Sequence, residues 1–174
     1  MGGFGYIDLM KNTFKKSLVA VSLAALMTAP IAAQDADIEE IDFGTPEALT
    51  IESEGSTHNF TVEIADTPEK QTRGLMYRDE VAPDAGMLFE YEGQGVLSIW
   101  MKNTGVPLDV IFIRKNGKIL KIEHSATPYS LRSISSEASV AAVLELAGGR
   151  ALELGIMPGD LVKHEFFGTE ETSE

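Results

Sequence analysis

The stretch Leu108-Asp-Val-Ile-Phe-Ile113-Arg-Lys-Asn116-Gly117-Lys-Ile119-Leu-Lys-Ile122 sets two apolar, β-forming runs on either side of Asn-Gly. Asn-Gly in that setting is the strongest short-range hairpin signal, because a two-residue turn needs positive φ at both central residues. Within the first run, alternation puts Leu108, Val110 and Phe112 on one face and Asp109, Ile111 and Ile113 on the other. Outward from this hairpin the pattern stays β. Leu49 and Ile51 alternate with polar residues, Glu54-Gly55 turns the chain, and Phe60, Val62 and Ile64 alternate again. Strands are expected over 86–91 and 96–102, separated by a turn at Gly93-Gln-Gly95. Further strands are expected over Ala138 to Leu146 and Leu161 to Phe167. Residues 125–138 read as a long surface loop. Thr67-Pro68 predicts a helix start, with Thr67 as cap and Pro68 in the first turn, where its missing N–H leaves no orphan. That helix is expected to run to about Tyr77 with Leu75 and Met76 inward. About eight short strands with no βαβ alternation predict a mainly β (α+β) fold. The expected form is a small closed or partly open β-barrel, or a strongly bent sheet, with one or two short helices.

At the beginning of the chain, Lys11, Lys15 and Lys16 precede the apolar run Ser17 to Met27, which Pro30 breaks before the small residues Ile31-Ala-Ala33. Basic flank, short apolar core and small-residue exit predict a secretory signal over residues 1–33, cleaved near Ala33. The apolar stretch, about sixteen residues, falls short of the roughly 20 that span a bilayer, so no stable membrane span is expected after cleavage. Met10 makes a more ordinary signal start than Met1. Residues 34–46 are acidic and read as a disordered linker. A single β-rich domain is expected over 47–168, and 169–174 as an acidic tail. The expected location is therefore periplasmic or secreted.

The chain has 174 residues, no cysteine and a net charge of −13. Loss of residues 1–33 would take 14 basic and 27 acidic residues to 11 and 26, a net charge near −15. Such a surface repels nucleic acid and anionic lipid. Without cysteine there is no disulfide, thiol nucleophile or thiolate metal site. His58, His124 and His164 are scattered without metal-ligand spacing, so no metal or other cofactor is expected. Ser133, Ser135 and Ser136 lack a nucleophile-elbow motif, and no Gly-rich phosphate loop is present.

Six further stretches fall in one order: Arg73-Gly-Leu-Met-Tyr-Arg78, Gly86-Met-Leu-Phe89, Trp100-Met-Lys-Asn-Thr104, Pro107-Leu-Asp109, Val143-Leu-Glu-Leu-Ala-Gly148 and Gly159-Asp160. Together they resemble the family numbered 192 among domains of unknown function, an uncharacterised family expected in the cell envelope. The resemblance covers roughly residues 58–167. It implies a compact β-rich domain behind a signal sequence and no particular activity.

Asp109 is the most informative single residue. Either face of its strand leaves a carboxylate beside apolar neighbours, and an uncompensated buried carboxylate costs several kcal/mol, so a partner is required. Arg73, Arg78 and Lys102 are the expected partners, in a structural ion pair or as part of a polar ligand site. Arg73 and Arg78 are five residues apart and share no helix face, so one can hold Asp109 while the other faces solvent or docks the helix. Trp100 and Lys102 read as one strand face, a core tryptophan with a surface lysine or a sugar-stacking platform. Glu145, between Leu144 and Leu146, is a secondary candidate. If it converges with Asp109, the two form the carboxylate pair of glycan hydrolysis. Asp160, after Pro158-Gly159, reads as a turn former. These residues lead to an exported accessory or binding domain with its site near Arg73, Arg78, Trp100, Lys102 and Asp109. The expected ligand is a small molecule, an anionic or saccharide envelope component. A hydrolase of envelope glycans through Asp109 and Glu145 is the alternative, and a structural domain that binds an envelope protein the third reading.

Overall fold

The structure, a computed structural model, describes residues 40–169. The expected signal segment over 1–33, most of the expected linker and the tail beyond 169 lie outside the described residues. Seven strands form one strongly curled, half-barrel sheet: β1 (Glu47–Ser53), β2 (Ser56–Ala65), β3 (Ala85–Ile99), β4 (Leu108–Ile113), β5 (Ile119–Ala126), β6 (Ile134–Ala147) and β7 (Leu161–Lys163). Their spatial order is β5-β4-β6-β3-β2-β1-β7. Two short helices, α1 (Pro68–Arg73) and α2 (Arg150–Glu153), and a 3-10 turn (Glu165–Phe167) complete it. The expected mainly β fold with a strongly bent sheet is what the chain adopts. A bridge between Lys118 and Leu161 brings the two ends of the sheet together.

Several local expectations change. The 111–122 hairpin forms, but through three loop residues rather than two. Gly117 N–H donates to Arg114 O, Arg114 N–H donates to Lys118 O, and of the Asn-Gly pair only Gly117 has positive φ. This is a turn followed by a left-handed glycine, which adds a bulge and lets the hairpin tip reach β7. A Cβ on Gly117 would lie 2.5 Å from Val162 O at a φ of +76°. Gly117→Ala is therefore expected to lower stability by about 1–3 kcal/mol in urea unfolding, and an unchanged midpoint would show that the tip can shift freely. The two strands expected over 86–91 and 96–102 form one long strand, β3, which continues through bulges between Glu90 and Gly95 and between Val96 and Ser98 and ends at Ile99, so Trp100 and Lys102 lie beyond it and do not share a strand face as expected. Glycine at 93 and 95 here relaxes the ladder instead of ending it. β2 and β3 are parallel, from Thr61 opposite Ala85 to Ala65 opposite Phe89, and α1 lies in the crossover between them. A βαβ unit is thus present where none was expected. The helix ends at Arg73, not near Tyr77, because Gly74 takes φ +48° and breaks its φ/ψ run. β6 starts at Ile134, so the loop after β5 is shorter than expected. Upstream, Phe43 is already buried, and Ile41 packs against the same core group.

The central strands are buried on both faces, and every residue of β4 is buried. One face draws Leu49, Val62, Leu88, Ile111, Ile119, Leu144 and Val162 from all seven strands. The opposite face packs Met87, Phe89, Val110, Phe112 and Val143 against Leu75, Met101 and Phe43. This double burial explains the near-continuous apolar runs in β4 and β6. It also separates the carboxyl groups of these two strands.

Candidate functional site

Asp109 is fully buried on the first face, and backbone N–H groups hold it, with the His124 Nδ1 at 4.0 Å from its Oδ1 as the nearest titratable side chain. Its Oδ1 accepts from the Ser125 N–H and the Gly149 N–H, both at 2.8 Å, and its Oδ2 accepts from the Ala151 N–H at 2.7 Å. Three backbone donors satisfy the carboxylate, so the expectation that Arg73, Arg78 or Lys102 would hold it is overturned. The residue joins β4 to the end of β5 and to the first turn of α2. Arg78 instead pairs with Glu63 on β2, with Nη2 3.0 and 2.7 Å from the two carboxylate oxygens. Asp160 acts as a turn former: its Oδ2 accepts from the Met157 N–H at 2.8 Å and from the Ser53 hydroxyl at 2.7 Å.

Glu145 lies on the second face. Its cross-strand neighbours are Val110 and Met87, while Asp109 stands opposite Leu146. Directly paired residues share a face, so Asp109 and Glu145 project to opposite sides of the sheet. They cannot flank one glycosidic bond, and the hydrolytic pair is overturned.

The structure does bring Arg73, Trp100, Lys102 and Glu145 into one neighbourhood. Arg73, Tyr91, Trp100 and Glu145 all line a cavity of about 100 Å³, with Leu75 and Phe89 as its apolar wall. Trp100 is 49% exposed, and the Lys102 ammonium lies 5.1 Å from its ring centroid, at cation–π distance. Arg73 lies at the same distance over the Tyr77 ring. Burial pushes the Glu145 carboxyl up to about 8. Burial also raises Tyr91, and the nearby Glu145 adds to that shift. Both groups are therefore uncharged at neutral pH.

The cavity is lined from α1 and the residues after it, from β3 and β6, and by Trp100 and Thr104, and three loops nearby each carry a non-glycine residue in left-handed backbone: Tyr77 (φ 64°), Asn103 (φ 56°) and Tyr129 (φ 58°). They are latched to one another. Tyr77 N–H donates to Asn103 O at 2.9 Å, the Asn103 amide donates to the Tyr77 hydroxyl at 2.8 Å, and Tyr129 N–H donates to Thr104 O at 3.0 Å. Tyr129 is 68% exposed and covers Gly105, where a Cβ would lie 2.6 Å from its hydroxyl. Sequence reasoning did not single out Tyr77, Tyr91 or Tyr129. Nothing local marks a tyrosine for positive φ, although Asn103 before Thr104-Gly105 is a residue type that tolerates it.

On the opposite face, His164 is 2% exposed. Its Nδ1 accepts from the Phe166 N–H, its Nε2 lies 3.2 Å from Glu47 outside hydrogen-bonding geometry, and Glu90 is 3.7 Å from Nδ1. Burial first, then repulsion from Glu47, Asp66 and Glu165, raises Glu90 to about 7. Among the described residues no group of three or more His, Asp or Glu side chains is arranged to hold a metal ion.

Fold and cleft together define a small mainly β domain whose curled half-barrel presents a small pocket beside an exposed tryptophan. The family model DUF192, described as an uncharacterized ACR, matches residues 49–164, and the chain belongs to that family. Two crystal structures are similar to it. One, from Sinorhizobium meliloti 1021, is named as a candidate transcription regulator. It is 40% identical, with a TM-score of 0.71, over 74% of this chain and 99% of that one. The other, a protein of unknown function from Novosphingobium aromaticivorans DSM 12444, is 35% identical, with a TM-score of 0.67, over 68% of this chain and 85% of that one. No curated protein matches the chain.

Proposed function

We propose that this is an exported accessory or binding domain, periplasmic or secreted, that takes a small anionic or saccharide component of the cell envelope in the cleft of Arg73, Trp100, Lys102 and Glu145. The observation that carries the reading is the cavity that Arg73, Trp100 and Glu145 line together, with Trp100 49% exposed and the Lys102 ammonium over its ring. The rim presents an exposed aromatic face and the cations Lys102 and Arg73, the combination that recognises sugar rings and anionic groups. The cavity is well below the roughly 300 Å³ of a pocket that encloses a whole drug-sized ligand, so it receives one functional group while the rest of the ligand lies on the rim.

The name of the Sinorhizobium relative suggests a role with nucleic acid. A net charge of −13 disfavours it here, since phosphate contacts supply most of the affinity in such complexes. A thermal-shift screen against acidic and neutral sugars tests the binding reading. A ligand at a hundredfold its dissociation constant stabilises by about 2.7 kcal/mol, which is roughly 6–15 °C for a domain of this size. Trp100→Ala is expected to abolish that shift and to change the melting of the free protein by about 1 kcal/mol or less, because the side chain is half exposed. A flat screen, or a shift that survives both Trp100→Ala and Arg73→Ala, would move the search to protein partners.

A further inference from the structure

Glu145 lies near the end of β6, buried between the apolar cross-strand neighbours Met87 and Val110. It is 4% exposed, and it is the one acid among the residues that line the cavity. Among the described residues its carboxyl makes no hydrogen bond and no ion pair, and burial alone acts on it. Asp109, one strand away, shows how this fold satisfies a buried carboxylate when that is the purpose, with three backbone donors. Glu145 has none, and its remaining exposure is to the cavity.

The charged and titratable groups around the cavity come from three elements. Arg73 closes α1 and has no carboxylate partner among the described residues, Tyr91 comes from β3, and Lys102 lies over Trp100 just beyond β3. A neutral carboxyl offers one O–H donor, and Arg73 offers a cation with a planar fork of N–H groups. Both are complementary to a carboxylate. The cavity, about 100 Å³, is far below the roughly 300 Å³ of a pocket that encloses a whole small-molecule ligand, so it takes a single group such as a carboxylate.

We propose that Glu145 is the specificity-determining residue of this cleft: its carboxyl O–H donates a hydrogen bond to the carboxylate of an acidic sugar, whose ring rests outside the cavity on Trp100. The inference rests on the binding-domain reading above and adds to it the ligand's chemical class. O–H donors to carboxylates make short, strong hydrogen bonds, and the donor exists only while Glu145 keeps its proton. Alkaline conditions remove the donor and set a second negative charge against the ligand. Tyr91 stays neutral over the same range, so it does not reverse the effect.

The test is calorimetric titration with D-glucuronate and with D-glucose as its neutral counterpart, at pH 6.5 and 9.5, using the wild-type protein, Glu145→Gln and Trp100→Ala. Glutamine keeps an N–H donor at every pH. The wild-type protein is expected to bind glucuronate about tenfold or more weakly at pH 9.5 than at pH 6.5. Glu145→Gln should hold its affinity within about threefold across the same interval, and glucose should bind more weakly than glucuronate at pH 6.5 in the wild-type protein. Equal glucuronate affinity at both pH values in the wild-type protein, or the same fall in Glu145→Gln, would overturn the role of Glu145 and leave the cleft standing. Failure of the wild-type protein to bind either sugar, or binding unaltered in Trp100→Ala, would overturn the cleft and this inference with it.

Discussion

Asp109→Ala is expected to lower the stability of the domain by roughly 3–6 kcal/mol, the largest single loss we foresee. The carboxylate is fully buried and accepts from three backbone N–H groups, on Ser125, Gly149 and Ala151. Alanine leaves all three without their acceptor, at about 1–3 kcal/mol for each buried group that stays unpaired. α2 suffers most, because its N-cap is Gly149, which has no side chain to cap it, and Asp109 supplies the missing acceptor from β4. Since domains of this kind are stable by only about 5–15 kcal/mol, the variant should unfold at much lower urea. Asp109→Asn is expected to lose less, because its amide oxygen can retain the two bonds now made by Oδ1 while its NH₂ opposes the Ala151 N–H. Urea unfolding of the three proteins measures this order. A loss under about 1 kcal/mol for alanine would mean that water replaces the carboxylate without penalty. The cleft lies on the other face of the sheet, so the folded variant should retain whatever ligand the cleft takes.

Glu145→Gln is expected to act in the opposite direction, and only above acidic pH. In the unfolded chain this carboxyl loses its proton near the ordinary value of 4.5, whereas in the folded protein it holds it up to about 8. Between those values the folded state binds one proton more than the unfolded state, so stability falls as pH rises through this window and levels off above it. Below 4.5 both states are protonated and the full contribution is present. Each unit of pH in the window costs about 1.4 kcal/mol, which accumulates to several kcal/mol by pH 8. Glu90, raised to about 7, adds to the decline between 4.5 and 7. Glutamine removes the share that belongs to Glu145. Urea unfolding at pH 4.5, 6 and 8 should find the variant within about 1 kcal/mol of the wild-type protein at the lowest pH, and more stable by several kcal/mol at the highest. Stability curves that run parallel across the three values would show that Glu145 is ionised in the folded protein and has a partner or water to support it.

Much of the local structure was legible in the residues. Alternation in 108–113 assigned Asp109 to the face of Ile111 and Ile113, and Thr67-Pro68 marked the start of α1, where the Thr67 hydroxyl does accept from Lys70 N–H. Asn116-Gly117 marked the hairpin, although not its turn type. The need of Asp109 for partners was also legible from its apolar neighbours, but not their identity. Its donors stand 16, 40 and 42 residues further along the chain. Backbone N–H groups carry no residue type by which a sequence could point to them.

Periodicity, charge and turn chemistry are properties of neighbouring residues. The sequence by itself therefore determined that the chain is β-rich, where its first helix begins and which residues of a strand share a face. Pairing is decided by contacts between distant segments, and only the tertiary structure could show that β2 and β3 run parallel and that Tyr77, Asn103 and Tyr129 meet. The fate of the two carboxylates turned on register alone. Val110, not Asp109, stands opposite Glu145. A slip of one residue would have set both acids on one face, because side chains in a strand alternate with a period of two.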